Sequence, residues 1–395
     1  MNGIDRRTFI AGTLAQVGSM CLGGPGTVAR AAKPGSLTEY RGPNLVLVRF
    51  GGGVRRRETI DPDHTFSPFL RHELTRRGVL FSNMEISSEH GVETGHGQGT
   101  LNILTGRYDD YQDVEDKFLG ARFEAKVPTL FEYLRKQFDI PAHQALIVNG
   151  EDRTDEEFYS FSNHHLFGVD YRCSVLSLYR FKCHLLRRQI ESGRFHGDDL
   201  AQRRQQLKEL ESLDYRAGAD PSQGPRIERF WERWRAHYGD CGFVNPRGDR
   251  LLTELAVRAI RQLRPRLMMI NYNDPDYVHW GNLSHYTRGV AIIDEGLQRL
   301  IACCDGDEAY RDNTLFVIVP DCGRDNNRSM AVPCQHHFNS RSSREIFALL
   351  LGPNVTRGRI VDRAVEQIDL APTIGRLMGF DANFARGDVL EAALA

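Results

Sequence analysis

The chain has 395 residues, of which 41% are hydrophobic and 26% are charged. That composition is ordinary for a soluble globular protein. The 51 basic residues are balanced by 52 acidic ones, so the charge does not predict binding to nucleic acid. The length exceeds that of a typical single domain, but large α/β proteins often reach it around one sheet.

The first 31 residues have the pattern of an export signal. Arg6-Arg7-Thr8-Phe9-Ile10 precedes a weakly apolar stretch, and Ala29-Arg30-Ala31 follows as an A-x-A cleavage site. The pattern resembles a twin-arginine signal, which predicts a periplasmic or secreted protein. Glycines and a proline interrupt the stretch, so we expect no transmembrane segment after cleavage. The alternative is a disordered N-terminus with a chance pair of arginines.

The eight cysteines include no C-x-x-C pair, which argues against a zinc ribbon and a thioredoxin-like motif. Cleavage of the signal removes Cys21 and leaves an odd number. In an exported protein the others allow one or two disulfides, but their spacing does not identify the pairs.

Beyond the signal, residues 32–395 alternate between apolar runs of strand length and segments with helical spacing. The alternation predicts a single α/β domain with a mostly parallel central sheet and helices on both faces. The predicted strands are 44–50, 145–149, 267–271, 314–319 and 347–351. The predicted helices are 66–77, 97–104, 129–136 (with Thr129 as its N-cap) and 284 to about 303. The long, charged stretch at about 175–240 predicts a helical insertion outside the sheet.

Carboxylates and histidines follow two of these strands directly. Asp274, Asp276 and His279 come after the strand that ends at 271, and Asp321 comes after the strand that ends at 319. The pair His336-His337 follows a dozen residues later. Ligands bind beyond the carboxyl ends of strands in open α/β sheets, and these side chains are the ligands that zinc prefers. The sequence therefore predicts a divalent-metal site at this edge, although any one of these residues alone has an ordinary reading as a turn or surface residue.

Several motifs resemble the alkaline phosphatase superfamily, which includes sulfatases and phosphodiesterases. They are Val365–Gly379, Leu104-Thr105-Gly106-Arg107-Tyr108, Thr129–Leu134, and the chain order Asp…His, Asp-x-Gly, His. The resemblance covers about residues 44–380 apart from the insertion, and it implies a hydrolase with two metal ions.

The resemblance also implies where the ions lie. The first ion position takes Asp276 (or Asp274), His279, and His336 or His337. The second ion position takes an Asp after the first strand, the nucleophile, and an Asp-His pair that begins at Asp321. The implied metal is zinc, with manganese or calcium as alternatives, and the implied substrate is a small-molecule or glycan ester.

The second ion position departs from the family pattern. Gly51 stands where the family has its first Asp, Cys322 replaces the His after Asp321, and His96 stands at the nucleophile position. Thr94 is the nucleophile if the loop carries a two-residue shift, and otherwise a helix N-cap. His96 is either the nucleophile or a metal ligand that compensates for the missing Asp.

We predict an exported metal-dependent hydrolase of phosphate or sulfate esters, with Arg55 and Arg324 as anion-binding residues. No cysteine lies in the Cys-x-Pro-x-Arg context, so a formylglycine-dependent sulfatase is not predicted. The alternative is an exported metal- or ligand-binding protein on a degenerate hydrolase scaffold without turnover. The sequence does not predict an oligomeric state.

Overall fold

The computed structural model describes most of the chain beyond the N-terminus. The described residues are 39–89, 91–108, 111–115, 122–150, 159–160, 162, 167–212, 224–240, 248–279, 282–325, 329, 334–336 and 339–395. The predicted signal, residues 1–31, lies outside them, as does His337.

A nine-stranded sheet forms the centre of the fold, with strands in the order β10-β2-β9-β8-β1-β7-β5-β6 and β11 paired to β2. The strands are β1 Asn44–Phe50, β2 Gly78–Glu85, β3 Tyr111–Glu115, β4 Arg122–Ala125, β5 Ala145–Val148, β6 Ser174–Leu176, β7 Leu267–Tyr272, β8 Thr314–Val319, β9 Glu345–Leu351, β10 Arg359–Val361 and β11 Val365–Glu366. Strands β3 and β4 pair separately as a hairpin. All five predicted strands are confirmed to within two residues at each end.

Only β9 runs against the other strands of the sheet as described, since it is antiparallel to both β8 and β2. The central strand β1 lies between β7 and β8 and is parallel to both. The carboxyl ends of β1, β7 and β8 therefore meet at one edge, which is the edge where the sequence predicts the metal site.

Helices cover both faces of the sheet, as predicted. They are α1 Arg56–Thr59, α2 Thr75–Arg77, α3 His96–Thr105, α4 Leu130–Phe138, α5 Leu178–Glu191, α6 Gly197–Ser212, α7 Pro225–Tyr238, α8 Asp249–Leu263, α9 Leu283–Asp305, α10 Arg341–Arg344 and α11 Leu370–Met378. A π-helical segment, Phe69–Leu74, precedes α2 where the sequence predicts one helix over 66–77. Short 3₁₀ turns lie at Ala142–Gln144, Val169–Tyr171, Asp274–Tyr277, Gln367–Asp369 and Glu391–Ala393.

Alternation along β1 divides the core in two. Val46, Val48 and Phe50 pack with α5, α7, α8 and α9 on one face, and Leu45 and Leu47 pack with α3, α4 and α11 on the other. Because side chains alternate in a strand, Arg49 points to the same face as Leu47, toward α3.

Local sequence explains where the helices next to the site begin and end. Thr129 and Glu132 form a reciprocal capping box at the start of α4, as Thr129 predicts. Helix α3 ends at Gly106, whose φ of 70° is the left-handed conformation that terminates many helices.

The predicted insertion is less separate than expected. Its first residues belong to β6, which pairs with β5 in the main sheet. Helices α5 and α7 contribute Phe181, Trp231 and Trp234 to the same hydrophobic cluster as the β1 side chains. The stretch is therefore part of the core on that face, because its aromatic side chains bury a large apolar area while its charged side chains stay at the surface.

No helix among the described residues is long and apolar enough to span a membrane. The six cysteines within the described ranges are buried and none of them forms a disulfide; they lie at 173, 183, 303, 304, 322 and 334.

Candidate metal centre

Three segments bring the predicted site residues together. The 3₁₀ turn after β7 carries Asp276 and leads to His279. Asp321 follows β8 within two residues, and His96 is the first residue of α3. His336 comes from the loop beyond β8 and is fully buried. The five residues lie at the carboxyl edge of the parallel strands, where the sequence predicts them.

Asp276 Oδ1 is the point on which three imidazoles converge. Nε2 of His96 lies 2.7 Å from this oxygen, Nε2 of His279 lies 2.9 Å away, and Nε2 of His336 lies 3.4 Å away. Burial alone would raise the pKa of Asp276, but the charge of His96 and these hydrogen bonds hold it well below its usual range.

His96 bridges two carboxylates. Its Nδ1 lies 2.7 Å from Asp321 Oδ2, while its Nε2 contacts Asp276. Burial opposes the charged imidazole, but Asp321 and Asp276 raise the pKa of His96 well above its ordinary value. The same contact lowers the pKa of Asp321 despite its burial.

Asp321 is fixed from several directions. Its Oδ1 accepts the backbone N–H of Cys322 at 2.8 Å and that of Gly53 at 3.3 Å. Its Oδ2, which receives His96, also lies 3.6 Å from Nη1 of Arg49. Both side chains of this ion pair are fully buried.

Arg49 is a site residue that sequence reasoning missed. Its Nη1 also donates to Thr100 Oγ1 in α3 at 2.9 Å. The signal that could have revealed it is a lone cation within the apolar run of β1, since a buried charge needs a partner. In the register of the sheet it lies opposite Asn271 and Val319, one residue before β1 ends.

Asp249 is a second missed residue. Its carboxylate accepts the N–H of Asn273 at 2.8 and 2.9 Å and the N–H of Asp274 at 2.7 Å, which fixes the turn that carries Asp276. Burial, and then the charge of Asp274, raise the pKa of Asp249 well above its ordinary value.

Asp274 and Thr94 occupy positions different from those predicted. The Asp274 carboxylate accepts the N–H of Asp249 at 3.1 Å at the start of α8 and is not among the clustered ligands. Thr94 Oγ1 donates to the backbone carbonyl of His336 at 2.5 Å, and the Thr94 carbonyl lies 3.3 Å from His336 Nδ1. In this geometry Thr94 orients His336, and Asp274 caps the start of α8.

The two predicted anion-binding arginines are engaged elsewhere. Arg324 is fully buried, and its five N–H groups donate to five backbone carbonyls. These are the carbonyls of Gly52, Gly53, Pro275, Val278 and Cys334. Arg55 forms a two-pronged ion pair with Glu58 at 2.6 and 2.8 Å. Each guanidinium thus has local partners in this structure, and its predicted role in anion binding stays a prediction.

The donor set fits a divalent metal at the first ion position. One ligand atom from each of Asp276, His279 and His336 can be chosen so that all lie within 4.8 Å of one another. The second nitrogen of His336 faces a carbonyl, which is the usual support for a metal-binding imidazole. The His279 side chain is 22% exposed and the His336 side chain 0%, so solvent reaches the group from the His279 side.

The donor set at the second ion position is different. Gly51 offers no side chain, and a Cβ built there would meet the Tyr272 carbonyl oxygen at 2.1 Å. Cys322 Sγ lies 3.9 Å from His96 Nδ1, and burial raises the pKa of its thiol to about 11. His96, Cys322 and His336 form a second possible ligand group that shares His336 with the first.

The chain is thus an α/β protein with a mostly parallel sheet and a cluster of histidines and carboxylates at the carboxyl edge of that sheet. Its fold is similar to that of solved structures from the alkaline phosphatase superfamily. A superfamily protein from Vibrio parahaemolyticus aligns with a TM-score of 0.54 and 16% identity over 91% of this chain and 72% of its own. No protein-family model and no curated protein matches the sequence.

Two further solved structures share the fold. Wild-type alkaline phosphatase PafA has a TM-score of 0.55 and 12% identity, over 91% of this chain and 100% of its own. The phosphonate monoester hydrolase of Agrobacterium radiobacter has a TM-score of 0.53 and 14% identity, over 89% of this chain and 77% of its own. The likeness is one of fold, and it agrees with the fold that the sequence motifs imply.

Proposed function

We propose that the chain is an exported, metal-dependent hydrolase of phosphate or sulfate esters that works without formylglycine. The observation that carries the proposal is the convergence of Asp276, His279 and His336 at the carboxyl edge of the sheet. Proteins with the same fold include an alkaline phosphatase, a phosphonate monoester hydrolase and a 2-O glycosaminoglycan sulfatase. Small-molecule and glycan esters are therefore the substrates to test first.

The residues of the first ion position would hold a divalent ion, with zinc favoured by two imidazoles and one carboxylate. Such an ion polarises an ester oxygen and lowers the pKa of water. Helix α3 begins at His96, so the positive end of its dipole faces the same place and favours an anionic substrate.

Direct attack by water fits the site better than a covalent step. Thr94 Oγ1 is already hydrogen bonded to the His336 carbonyl at 2.5 Å, and its residue is only 1% exposed. To act as a nucleophile it would have to leave that carbonyl unsatisfied, at a cost of about 1–3 kcal/mol. Its position supports His336 instead.

Hydrolysis of three chromogenic esters tests the proposal. The purified, tag-free protein is loaded with zinc, manganese or calcium and offered p-nitrophenyl phosphate, bis(p-nitrophenyl) phosphate and p-nitrophenyl sulfate. We expect turnover of at least one ester, and its loss in His279→Ala. His285→Ala is the matched control, since His285 is exposed on α9 and lies outside the cluster. If all three esters remain intact with every metal, the hydrolase proposal is wrong.

The second candidate is an exported metal- or ligand-binding protein without turnover. The presence of His96 at the family's nucleophile position, held between two carboxylates at 2.7 Å, favours it. Stable metal binding together with complete inactivity toward esters would select this function over hydrolysis.

Export is a separate part of the proposal and rests on Arg6-Arg7 and the A-x-A site of the sequence. We expect Arg6→Lys/Arg7→Lys to retain the protein in the cytoplasm of a host with a twin-arginine pathway, whereas the unaltered chain reaches the periplasm. Cell fractionation measures the difference. Equal distribution of both proteins would contradict twin-arginine export.

A further inference from the structure

We propose that the chain builds a centre for one divalent ion, with His96 as a fourth ligand and the Arg49 guanidinium in place of a second ion. The inference rests on the proposed metal-dependent function and narrows it. It concerns the composition of the site, so metal content tests it independently of any ester.

The His96 ring is directed toward the residues of the first ion position. Its Nε2 approaches the same Asp276 oxygen as Nε2 of His279 and His336, at 2.7 Å against 2.9 and 3.4 Å. The ring centroid of His96 is 4.2 Å from that of His336. The point that the three nitrogens share is the Asp276 oxygen, and His96 is outside the group of Asp276, His279 and His336 whose ligand atoms all lie within 4.8 Å of one another. An ion bound by that group would take His96 as a fourth ligand once its Nε2 turns from the carboxylate oxygen to the ion, which gives three imidazoles and one carboxylate. The His279 side chain is 22% exposed, so a substrate would approach the ion past this residue.

Asp321 holds the opposite side of the His96 ring. Its Oδ2 holds His96 Nδ1 at 2.7 Å, and its Oδ1 accepts two backbone N–H groups, those of Cys322 and Gly53. A carboxylate that holds the far nitrogen of a metal-binding histidine fixes the ring and increases its basicity. Asp321 is therefore a positioning residue for His96 and not a ligand of another ion.

The Arg49 side chain lies in the space beside Gly51. A Cβ at this position would lie 3.1 Å from Arg49 Nε and 3.2 Å from Arg49 Nη2, in addition to its clash with the Tyr272 carbonyl. The guanidinium thus fills the region into which a side chain of residue 51 would extend. Arg49 Nη1 also lies 3.6 Å from Asp321 Oδ2.

Charge balance agrees with this arrangement. In a buried site each carboxylate needs a positive partner. The bound ion would balance Asp276, and Arg49 balances Asp321 without any metal. A second divalent ion next to a buried guanidinium would suffer like-charge repulsion at short range.

The alternative group of His96, Cys322 and His336 competes poorly for an ion. The His96 nitrogen near the sulfur is Nδ1, at 3.9 Å, and this nitrogen is already bound to Asp321 at 2.7 Å. His336 cannot direct Nε2 to both groups at once. The geometry favours the group that contains Asp276.

Metal stoichiometry and electron paramagnetic resonance test the proposal on the unaltered chain. The tag-free apoprotein is dialysed against excess Zn²⁺ or Mn²⁺, freed of loose metal, and analysed for metal per chain. We expect one ion per chain and the spectrum of an isolated Mn²⁺. Two ions per chain, or the spectrum of an exchange-coupled manganese pair, would overturn the proposal. No stable metal would overturn both it and the proposed function.

Two variants then assign the residues. His96→Ala should reduce Zn²⁺ affinity at least about 100-fold, whereas the exposed control His285→Ala leaves it unchanged. Asp321→Asn should keep one ion per chain with affinity reduced about 10–100-fold. Near-ultraviolet circular dichroism checks that each variant is folded. If His96→Ala binds Zn²⁺ as tightly as the unaltered chain, His96 is not a ligand.

The outcomes separate the two proposals. One ion per chain without ester hydrolysis supports the inference and contradicts the hydrolase. Two ions per chain with hydrolysis supports the hydrolase and contradicts the inference.

Discussion

The first and second ion positions lie at the same edge of one sheet, yet they differ in what the chain supplies. The first has Asp276, His279 and His336 within ligand distance of one another. The second has Gly51 and Cys322 in place of an Asp and a His, with a buried arginine beside them. The fold thus sets the backbone positions from which ligands can extend, and the side chains at each position determine whether an ion can bind there.

Backbone packing explains why a carboxylate side chain does not fit in the loop after β1 at the second ion position. Gly52 and Gly53 have φ of 90° and 68°, which favours glycine. A Cβ on Gly52 would meet the Asp276 backbone nitrogen at 2.3 Å. The loop after β1 therefore packs against the turn that carries the first position, with no space for longer side chains.

Arg324 joins the two positions, and its removal should have the largest effect. Its five N–H groups bind carbonyls on the loop after β1, the turn after β7 and Cys334. Arg324→Met leaves these acceptors buried without donors, so we expect a loss of about 3–5 kcal/mol in the free energy of unfolding. Urea unfolding measures it, with the exposed Arg341→Met as the control. Equal midpoints for both variants would contradict this role.

Asp276 and Asp274 provide a matched pair within one turn. Asp276→Asn removes the anionic oxygen that faces three imidazoles, and we expect zinc affinity to fall more than about 100-fold, or about 3 kcal/mol. Asp274→Asn keeps an acceptor for the Asp249 N–H and should leave zinc affinity within about threefold. Isothermal titration calorimetry measures both constants. If the two variants lose affinity equally, Asp274 belongs to the first position after all.

Much of the fold could be predicted from the sequence because apolar runs of strand length and helical spacing are local signals. The direction of β9 could not, since an apolar run such as Phe347–Leu351 carries no information on whether it pairs parallel or antiparallel. The sequence also did not indicate that part of 175–240 packs into the core, because the buried Trp231 and Trp234 alternate with charged residues on α7.

The site was predictable to the extent that its residues follow strands. Asp276, His279, Asp321 and His336 stand out because polar groups directly after apolar runs lie at the ligand-binding edge. Asp249 does not stand out, and Arg49 is marked only as a lone cation within the apolar run of β1, because the partners of both residues are far away in the chain. The hydrogen bonds of Thr94 and Arg324 could not be predicted for a related reason: spacing shows which residues come close, but not which atoms are already hydrogen bonded.

Glu132, which is not part of either ion position, should make the stability of the fold depend on pH. Burial raises the pKa of Glu132 to about 7, although Thr129 and Ser162 donate to it. The folded state then binds the proton more tightly than the unfolded state, whose pKa is near 4.5. Stability from this group is fully present below pH 4.5 and declines by roughly 2–3 kcal/mol as pH rises to about 7. We expect Glu132→Gln to remove this decline in urea unfolding measured from pH 4.5 to 8, with and without zinc. If the free energy of unfolding of Glu132→Gln declines with pH as steeply as that of the unaltered chain, Glu132 is not the cause of the decline.

Substitution of Cys322 should have the smallest effect on stability and metal binding. It tests the comparison directly, because a small effect is expected only if the second ion position holds no ion. If the second position holds no ion, the buried thiol remains a neutral side chain that packs at 0% exposure, since burial raises its pKa to about 11. Cys322→Ser is then expected to change the free energy of unfolding by about 1 kcal/mol and to leave metal content unchanged. Co²⁺-loaded protein provides the sharper measurement, because a sulfur ligand adds a thiolate-to-metal charge-transfer band in the near ultraviolet. We expect the unaltered chain and Cys322→Ser to give the same Co²⁺ spectrum without that band. A band present in the unaltered chain and absent from the variant would mean that sulfur binds the ion, and the second position would have to be counted as a metal site.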